Sequence, residues 1–318
     1  MKNNLIDKLD LQFCVYGEME NSGEDSYYYS ANEDKYVSAV FDGCGGLGAQ
    51  KYKELNNKKG AYIASRAASA GVEAWFNEYC DRRARKNDIK KYIDMCLAEC
   101  NKYSGSAFEL KGSMVRKFPT TMSAVIAEES GGKFDVSYMW SGDSRGYLFD
   151  ENGAHQITDD DIDGEDALTN LTNDGVLNNV ISFDGNYVVH EKVIKRQAPF
   201  MTVTATDGCF GYYKTPMEFE FSILYTLSLA ENVNDWKEKI NDFVSRFTGD
   251  DYTVCIAAVG FGSFQKLKTF YKRRMEKIYD RYITKLDDAD DKDIMSMWNE
   301  YKKQYYTMPG GVHSGTGN

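Results

Sequence analysis

Residues 39–48 read AVFDGCGGLG, an apolar run that ends on an acid, Asp42, and passes at once into glycine. Val and Phe ahead of Asp-Gly describe a buried strand and its turn. A carboxylate at such a strand end is held rigidly, while Gly43, Gly45 and Gly46 let other groups approach the backbone closely. Asp-Gly after a strand is most often a turn and nothing more. The pattern returns, however, at 201–210, MTVTATDGCF, where Asp207 closes a β-type run, and at 248–259, TGDDYTVCIAAV, where Asp250 and Asp251 precede one. Glu24 and Asp25 in NSGEDSYYYS (21–30) stand before a further strand, and Asp143 in WSGDSRGYLF (140–149) follows one. Acids gathered at one end of a sheet repel each other unless a cation joins them, and hard divalent ions take several carboxylate oxygens from rigid supports.

Working outward, β-type runs occur at 11–16, 36–41, 122–127, 134–140, 146–149, 187–194, 200–205 and 253–259. Between the second and third of these, 60–80 and 88–103 carry apolar residues at helical spacing. A second helical pair, 217–231 and 233–247, precedes the last run, with an Asn or Asp cap expected around Asn234. Strands grouped rather than alternating one for one with helices indicate an α+β fold, most simply packed sheets covered by helices. After Ser263, Phe264, Leu267, Tyr271, Met275, Ile278, Tyr282 and Leu286 step by three and four, the signature of a long amphipathic helix. An acidic break, DDADDKD (287–293), is followed by the same stepping at Ile294, Trp298, Tyr301 and Tyr305, so a helical hairpin is expected. The basic residues of its first helix (Lys266, Lys268, Lys272, Arg273, Arg274, Lys277, Arg281, Lys285) form a solvated face in the commoner arrangement and a dock for an acidic partner in the alternative. The expected organisation is a main domain at 1–263, the hairpin extension at 264–307 and a flexible tail at 308–318.

Composition narrows the function. The 318 residues carry a net charge of −11, which argues against a nucleic-acid partner, and 42% apolar with 27% charged residues is the balance of a globular chain. No uncharged apolar run approaches about 18 residues, so a membrane span is not expected. Seven cysteines without a CxxC pair fit no closed disulfide framework; reduced thiols and a cytoplasmic location are the expectation.

The ordered set GEDSYYY, VFDGCGG, TTMSAVIA, WSGDSRGYLF, TATDGCF and GDDYTV, spanning about residues 11–259, resembles the metal-dependent Ser/Thr protein phosphatases of the PPM, or protein phosphatase 2C-like, family. That resemblance implies a β-sandwich of two mainly antiparallel sheets flanked by helical pairs, a four-layer α-β-β-α arrangement. It implies a cytoplasmic signalling hydrolase, a monomer, that removes phosphate from phosphoserine and phosphothreonine in a protein substrate, with an opposing Ser/Thr kinase as a further partner. By the same resemblance Asp42 bridges two Mn²⁺ or Mg²⁺ ions, the Gly43 carbonyl sits on one, Asp207 and Asp250 on the other, and Glu24 and Asp25 hold metal-bound water. A water shared by the two ions would attack phosphorus in line, with Asp42 and Asp207 as the catalytic acids.

Three departures from the family pattern bear on activity. Asp143 matches an acid for a third ion, but its usual partner is Gly211 here, which weakens the case for that ion. Glu20 stands where the family often has a phosphate-gripping arginine, and Cys44 where it often has a histidine that protonates the leaving group. Loss of a general acid costs about 10² to 10⁴ in rate. The different-class alternative is therefore a catalytically weak member serving as a regulatory or binding module. Arg145 reads as a structural residue on its strand, and the stretch TDDDIDGED (158–166) as a solvated acidic loop where the family carries a flap.

Overall fold

The structure is a computed structural model and describes residues 5–19, 23–104, 116–164, 166–172, 175–183, 185–307 and 312–313; Glu20 lies outside them. In chain order the elements are β1 (Leu9–Gly17), β2 (Ser26–Ala31), β3 (Lys35–Phe41), the short β4 (Lys51–Tyr52) and β5 (Lys58–Lys59), α1 (Gly60–Cys80) and α2 (Ile89–Lys102). Then follow β6 (Met122–Ser130), β7 (Lys133–Ser141), β8 (Arg145–Asp150), β9 (Gly153–Gln156), a single-turn α3 (Thr169–Thr172), β10 (His190–Arg196) and β11 (Phe200–Ala205). The chain closes with α4 (Pro216–Leu229), α5 (Val233–Val244), β12 (Tyr252–Val259), α6 (Phe264–Arg281), α7 (Asp291–Tyr305) and β13 (Val312–His313).

One sheet runs β1-β12-β11-β8-β9 and the other β13-β10-β7-β6-β3-β2, with antiparallel neighbours throughout. Tyr36, Val125, Tyr138, Leu148, Phe200 and Ala257 fill the space between the sheets. On the outer faces, α1 and α2 pack through Trp75, Phe76, Ile93 and Leu97, and the later helices through Trp236, Leu224 and Leu227. Strands such as β3, β11 and β12 are buried along nearly their whole length because a helix covers one face and the partner sheet the other, so their few Ser and Thr residues are buried as well. The architecture is the four-layer α-β-β-α sandwich expected. Among the described residues no helix is long and apolar enough to cross a membrane.

The hairpin after Ser263 shares its core with the sandwich. Leu267, Tyr271, Ile278, Trp298, Tyr301 and Tyr305 are buried in the same cluster as Phe13 and Val203. Arg274 is not on the solvated face: it is 8% exposed and its guanidinium grips Glu220, itself fully buried, with Nε to Oε1 at 2.7 Å and Nη2 to Oε2 at 2.9 Å. Helical stepping alone places Arg274 among the exposed basic residues, whereas α4 crosses α6 at that point and brings a carboxylate. Of residues 308–318, Val312 and His313 are described, paired with Ile194 and Val193 of β10.

Several local expectations are corrected. The α5 cap is Asn232, whose side chain accepts the Asp235 N–H at 3.1 Å, two residues before the expected position. The strand expected at 187–194 starts at His190, because Tyr187 turns away to donate to Asp94 (2.8 Å) and the Val188 N–H bonds Asn179 Oδ1. Cys14 and Cys255 face each other in the β1–β12 register and are joined as a disulfide, a pairing between residues 241 apart that the expectation of reduced thiols did not include. The adjacency comes from the β1–β12 register, which spacing along the chain does not show.

Candidate active site

The acids identified in the sequence all stand at one end of the sandwich, because that end is where β3 and β11 finish and β2, β8 and β12 begin. The registers fix this: Ser26 lies opposite Phe41, Ala205 opposite Arg145, and Ala205 opposite Val254. Asp42 follows β3 with its backbone clamped by the pair Thr120-Thr121. The Thr121 N–H (2.8 Å) and the Thr120 hydroxyl (2.6 Å) both donate to the Asp42 carbonyl. Thr121 Oγ1 in turn meets Ser144 Oγ at 2.7 Å, tying the Asp42 turn to the Asp143 turn. Gly43 is required by close approach, since a Cβ there would stand 2.6 Å from the Glu24 carbonyl oxygen and 2.7 Å from that of Ala61. A Cβ on Gly208 would run into the Asp251 carbonyl.

Asp25 is buried and its Oδ2 accepts from the hydroxyls of Thr206 and Thr253, each at 2.8 Å, so the N-terminal acid is bolted to β11 and β12. Asp251 is also buried, and accepts the Met19 N–H at 2.6 Å and the Glu24 N–H at 2.5 Å. It shapes the Glu24-Asp25 turn, while its neighbour Asp250 stays exposed. Glu24 forms an ion pair with Lys59 at 2.8 Å. No salt bridge reaches Asp42, Asp143 or Asp207 among the described residues.

The consequence is a basin loaded with like charge. Burial, then Asp207, Asp25, Asp143 and Asp250, push the Asp42 carboxyl well above its ordinary range. Burial and the charge of Asp207 push Asp143 up to about 8, and burial with Asp250 pushes Asp207 up to about 6. Burial also raises Asp25 to about 8, against the two threonine hydrogen bonds. Cys44 lies in the same field; burial and then Asp42, Asp143 and Asp207 drive its thiol well up, so it stays protonated. Among the described residues no group of three His, Cys, Asp or Glu side chains stands close enough together to hold a metal ion in this structure. The donor chemistry nonetheless fits Mg²⁺ or Mn²⁺: carboxylate oxygens on rigid strand ends, with the Gly43 carbonyl beside them and no imidazole.

A measurable pH dependence follows. An acid whose pKa is higher folded than unfolded binds more protons in the folded state, so the stability it contributes is complete below the unfolded value of 3.8 and is lost as pH rises through the folded value of about 8. Asp150 and Asp166, both held below 3.8, titrate beneath that window. Thermal melts of protein stripped with chelator are expected to show Tm falling from about pH 5 to about pH 8, with Mn²⁺ raising Tm most at the upper end. A metal-free Tm that climbs over that range would mean that the acids do not share one basin.

Beside the acids is a cavity of about 340 Å³ lined by Asp143, Asp207, Arg145, Asp160, Asn170 and Tyr212. Arg145 has the structural role expected of it: it is 2% exposed, donates to Asp160 from Nε (3.1 Å) and Nη2 (2.7 Å), and stacks over Phe210 at 4.2 Å. The expectation of a solvated loop at 158–166 holds for Asp159 and Asp163, which are exposed, and is overturned for three other acids. Asp160 is buried against Arg145, Asp161 accepts from the Gly142 N–H and from Asn179, and Asp166 accepts from Trp298. A run of acids reads as solvated only while its partners are unseen, and here they come from β8, the 175–183 segment and α7. Asp160, Lys59 and the anchoring role of Asp251 were not identified from sequence. Asp251 alone left a signal, the doubled acid before β12.

Fold and basin together define a class: the chain has the fold of the PPM Ser/Thr phosphatases. The particular likenesses are distant. The structure superposes on the serine/threonine phosphatase Stp1 of Staphylococcus aureus with a TM-score of 0.57 at 18% identity, covering 79% of this chain and 94% of that one. It superposes on the PPM Ser-Thr phosphatase MsPP of Mycobacterium smegmatis with a TM-score of 0.53 at 12% identity, covering 80% and 100%. For the serine/threonine phosphatase PstP/Ppp of Mycobacterium tuberculosis the TM-score is 0.52 at 17% identity, covering 78% and 97%. In sequence, the chain is 23% identical over 207 residues to a putative protein phosphatase of Mycoplasma genitalium, covering 64% of this chain and 70% of that protein. No protein-family model matches.

Proposed function

We propose that this protein is a phosphatase that hydrolyses phosphoserine and phosphothreonine in protein substrates with the help of two divalent ions, Mn²⁺ or Mg²⁺. The observation that carries the reading is the convergence of Asp25, Asp42, Asp143, Asp207 and Asp250 from separate strand ends into one basin, where each raises the pKa of a neighbour. Asp42, Asp207, Asp250 and the Gly43 carbonyl would hold the ions, with Glu24 and Asp25 around them. When bound, such ions lower the pKa of water and offset charge on phosphoryl oxygens. The chain's own part is positional. Thr120 and Thr121 fix the Asp42 peptide, Thr206 and Thr253 orient Asp25, and Asp251 holds the turn that carries Glu24. Strand-end mounting keeps these oxygens in place through the reaction, the condition under which fixed charge is most effective.

A protonated Cys44 beside Asp42 favours a second reading, a weak or inactive member used for binding, because a thiol with a raised pKa is a poor proton donor to a leaving alkoxide. Purified protein is expected to hydrolyse p-nitrophenyl phosphate and phosphothreonine peptides with Mn²⁺ or Mg²⁺ and to lose that activity in EDTA. Absence of turnover with every divalent ion tried would select the binding-module reading.

A further inference from the structure

We propose that α7 is a positioning strap for the wall of the candidate site, an inference that rests on the phosphatase reading for its kinetic consequence. Two hydrogen-bonded routes run from α7 to the cavity beside Asp143 and Asp207. In the first, the Tyr305 hydroxyl donates to Gln156 Oε1 (2.9 Å), and Gln156 Nε2 donates to Asp160 Oδ1 (3.0 Å). Asp160 carries the buried guanidinium of Arg145 and accepts from Asn170 Nδ2 (2.8 Å), and all three line the cavity.

The second route holds the next few residues of the same wall. Trp298, fully buried, donates its indole N–H to Asp166 Oδ2 at 2.7 Å, and the Ala167 N–H donates to the Tyr306 hydroxyl at 2.8 Å. The other oxygen of Asp166 accepts the amides of Leu168 (3.1 Å) and Thr169 (3.2 Å), the turn that presents Asn170 and Leu171 to the cavity. Burial pushes the Asp166 carboxyl up, but the Trp298 N–H, the Thr169 and Leu168 amides and Lys302 hold it below its ordinary range, so it stays a charged anchor.

The wall meets the core through Ala167, Leu168 and Leu171, whereas its acidic stretch at 158–164 depends on polar contacts for fixity. Buried hydrogen bonds from a helix rooted in the core supply that fixity, and a fixed wall spares a bound peptide the entropy of ordering it. The residues of α7 do not line the cavity, so they act on substrate only through Asp160 and Asp166. Loosening the strap therefore raises KM for a phosphopeptide that reaches past the acids, while the turnover step at Asp42 and Asp207 is left much as it was.

The test uses the full chain with Trp298→Phe and Tyr306→Phe together, which keep an aromatic ring at each position, at the cost of some buried volume at 298, and delete the two polar contacts. Hydrogen exchange at the Ala167 and Leu168 amides is read without turnover; KM and kcat are read with a phosphothreonine peptide and Mn²⁺. Faster exchange at both amides, KM raised about tenfold and kcat within about twofold of wild type are expected. Unchanged exchange in a folded double variant overturns the strap whether or not the enzyme is active. Faster exchange with unchanged KM overturns its link to the substrate. Should the double variant fail to fold, Tyr305→Phe tests the first route: unchanged exchange at the Asn170 amide overturns the strap, and faster exchange there with unchanged KM overturns the substrate link. A wild type inactive with every divalent ion sinks the phosphatase reading and the kinetic consequence with it, while the exchange data still decide the strap.

Discussion

Asp42→Asn is expected to reduce divalent-dependent hydrolysis by more than about 100-fold, because loss of merely supporting groups around a metal costs about 10- to 100-fold and Asp42 stands at the centre of the cluster. The fold should survive. The substitution keeps the side-chain shape and leaves the backbone clamp of Thr120 and Thr121 untouched. It also removes one negative charge from a basin in which Asp42 is opposed by Asp207, Asp25, Asp143 and Asp250, so the metal-free variant should melt no lower than metal-free wild type near pH 8 and should gain less from Mn²⁺. Asp207→Asn should behave alike. Kinetics in Mn²⁺ together with melts in Mn²⁺ and in chelator check both halves. Wild-type turnover with an undiminished Mn²⁺ response in either variant would falsify the placement of the ions.

Arg274→Met is expected to be the most damaging single change to stability. It strands the fully buried Glu220 carboxylate with the Tyr301 hydroxyl (2.5 Å) as its remaining partner, and also removes the donor to Gln304 Oε1 (2.7 Å). Breaking one side of a buried ion pair costs about 3–5 kcal/mol, which here means a fall in Tm on the order of 10 °C. Replacing both partners, Arg274→Met with Glu220→Leu, should recover most of that, since the penalty is the desolvated lone charge more than the lost attraction. Melts of the two variants decide the matter. If single and double variants melt alike, the pair does not hold α6 to α4 in the way its geometry indicates.

How far the sequence reaches is visible residue by residue. Alternating and stepping apolar patterns are local properties, so β3, β6, β7, β11, β12 and the helix pairs stand within a few residues of where those patterns place them. Asp42, Asp143, Asp207, Asp250 and the Glu24-Asp25 pair were legible for the same reason, because an acid beside glycine at a strand boundary is written in a handful of consecutive residues. Which acids become structural was not legible. Asp160 and Asp166 look like their neighbours in TDDDIDGED, and only the folded chain assigns Asp160 to Arg145 and Asp166 to Trp298.

Charge on a helix is ambiguous in the same way. Arg274 is one basic residue among eight on α6 and the turn after it, and burial of its guanidinium depends on Glu220, 54 residues earlier. Cys14 and Cys255 meet because β1 and β12 pair in one particular register. By itself, then, the sequence determined the strands, the helices and the acids that end those strands. Tertiary structure decided which charges are desolvated and with whom. The reason is physical: a buried acid or base needs a counter-ion, a hydrogen-bond donor or a bound cation, or else it gives up its charge, and the identity of that partner is a property of contact across the fold, not of spacing along the chain.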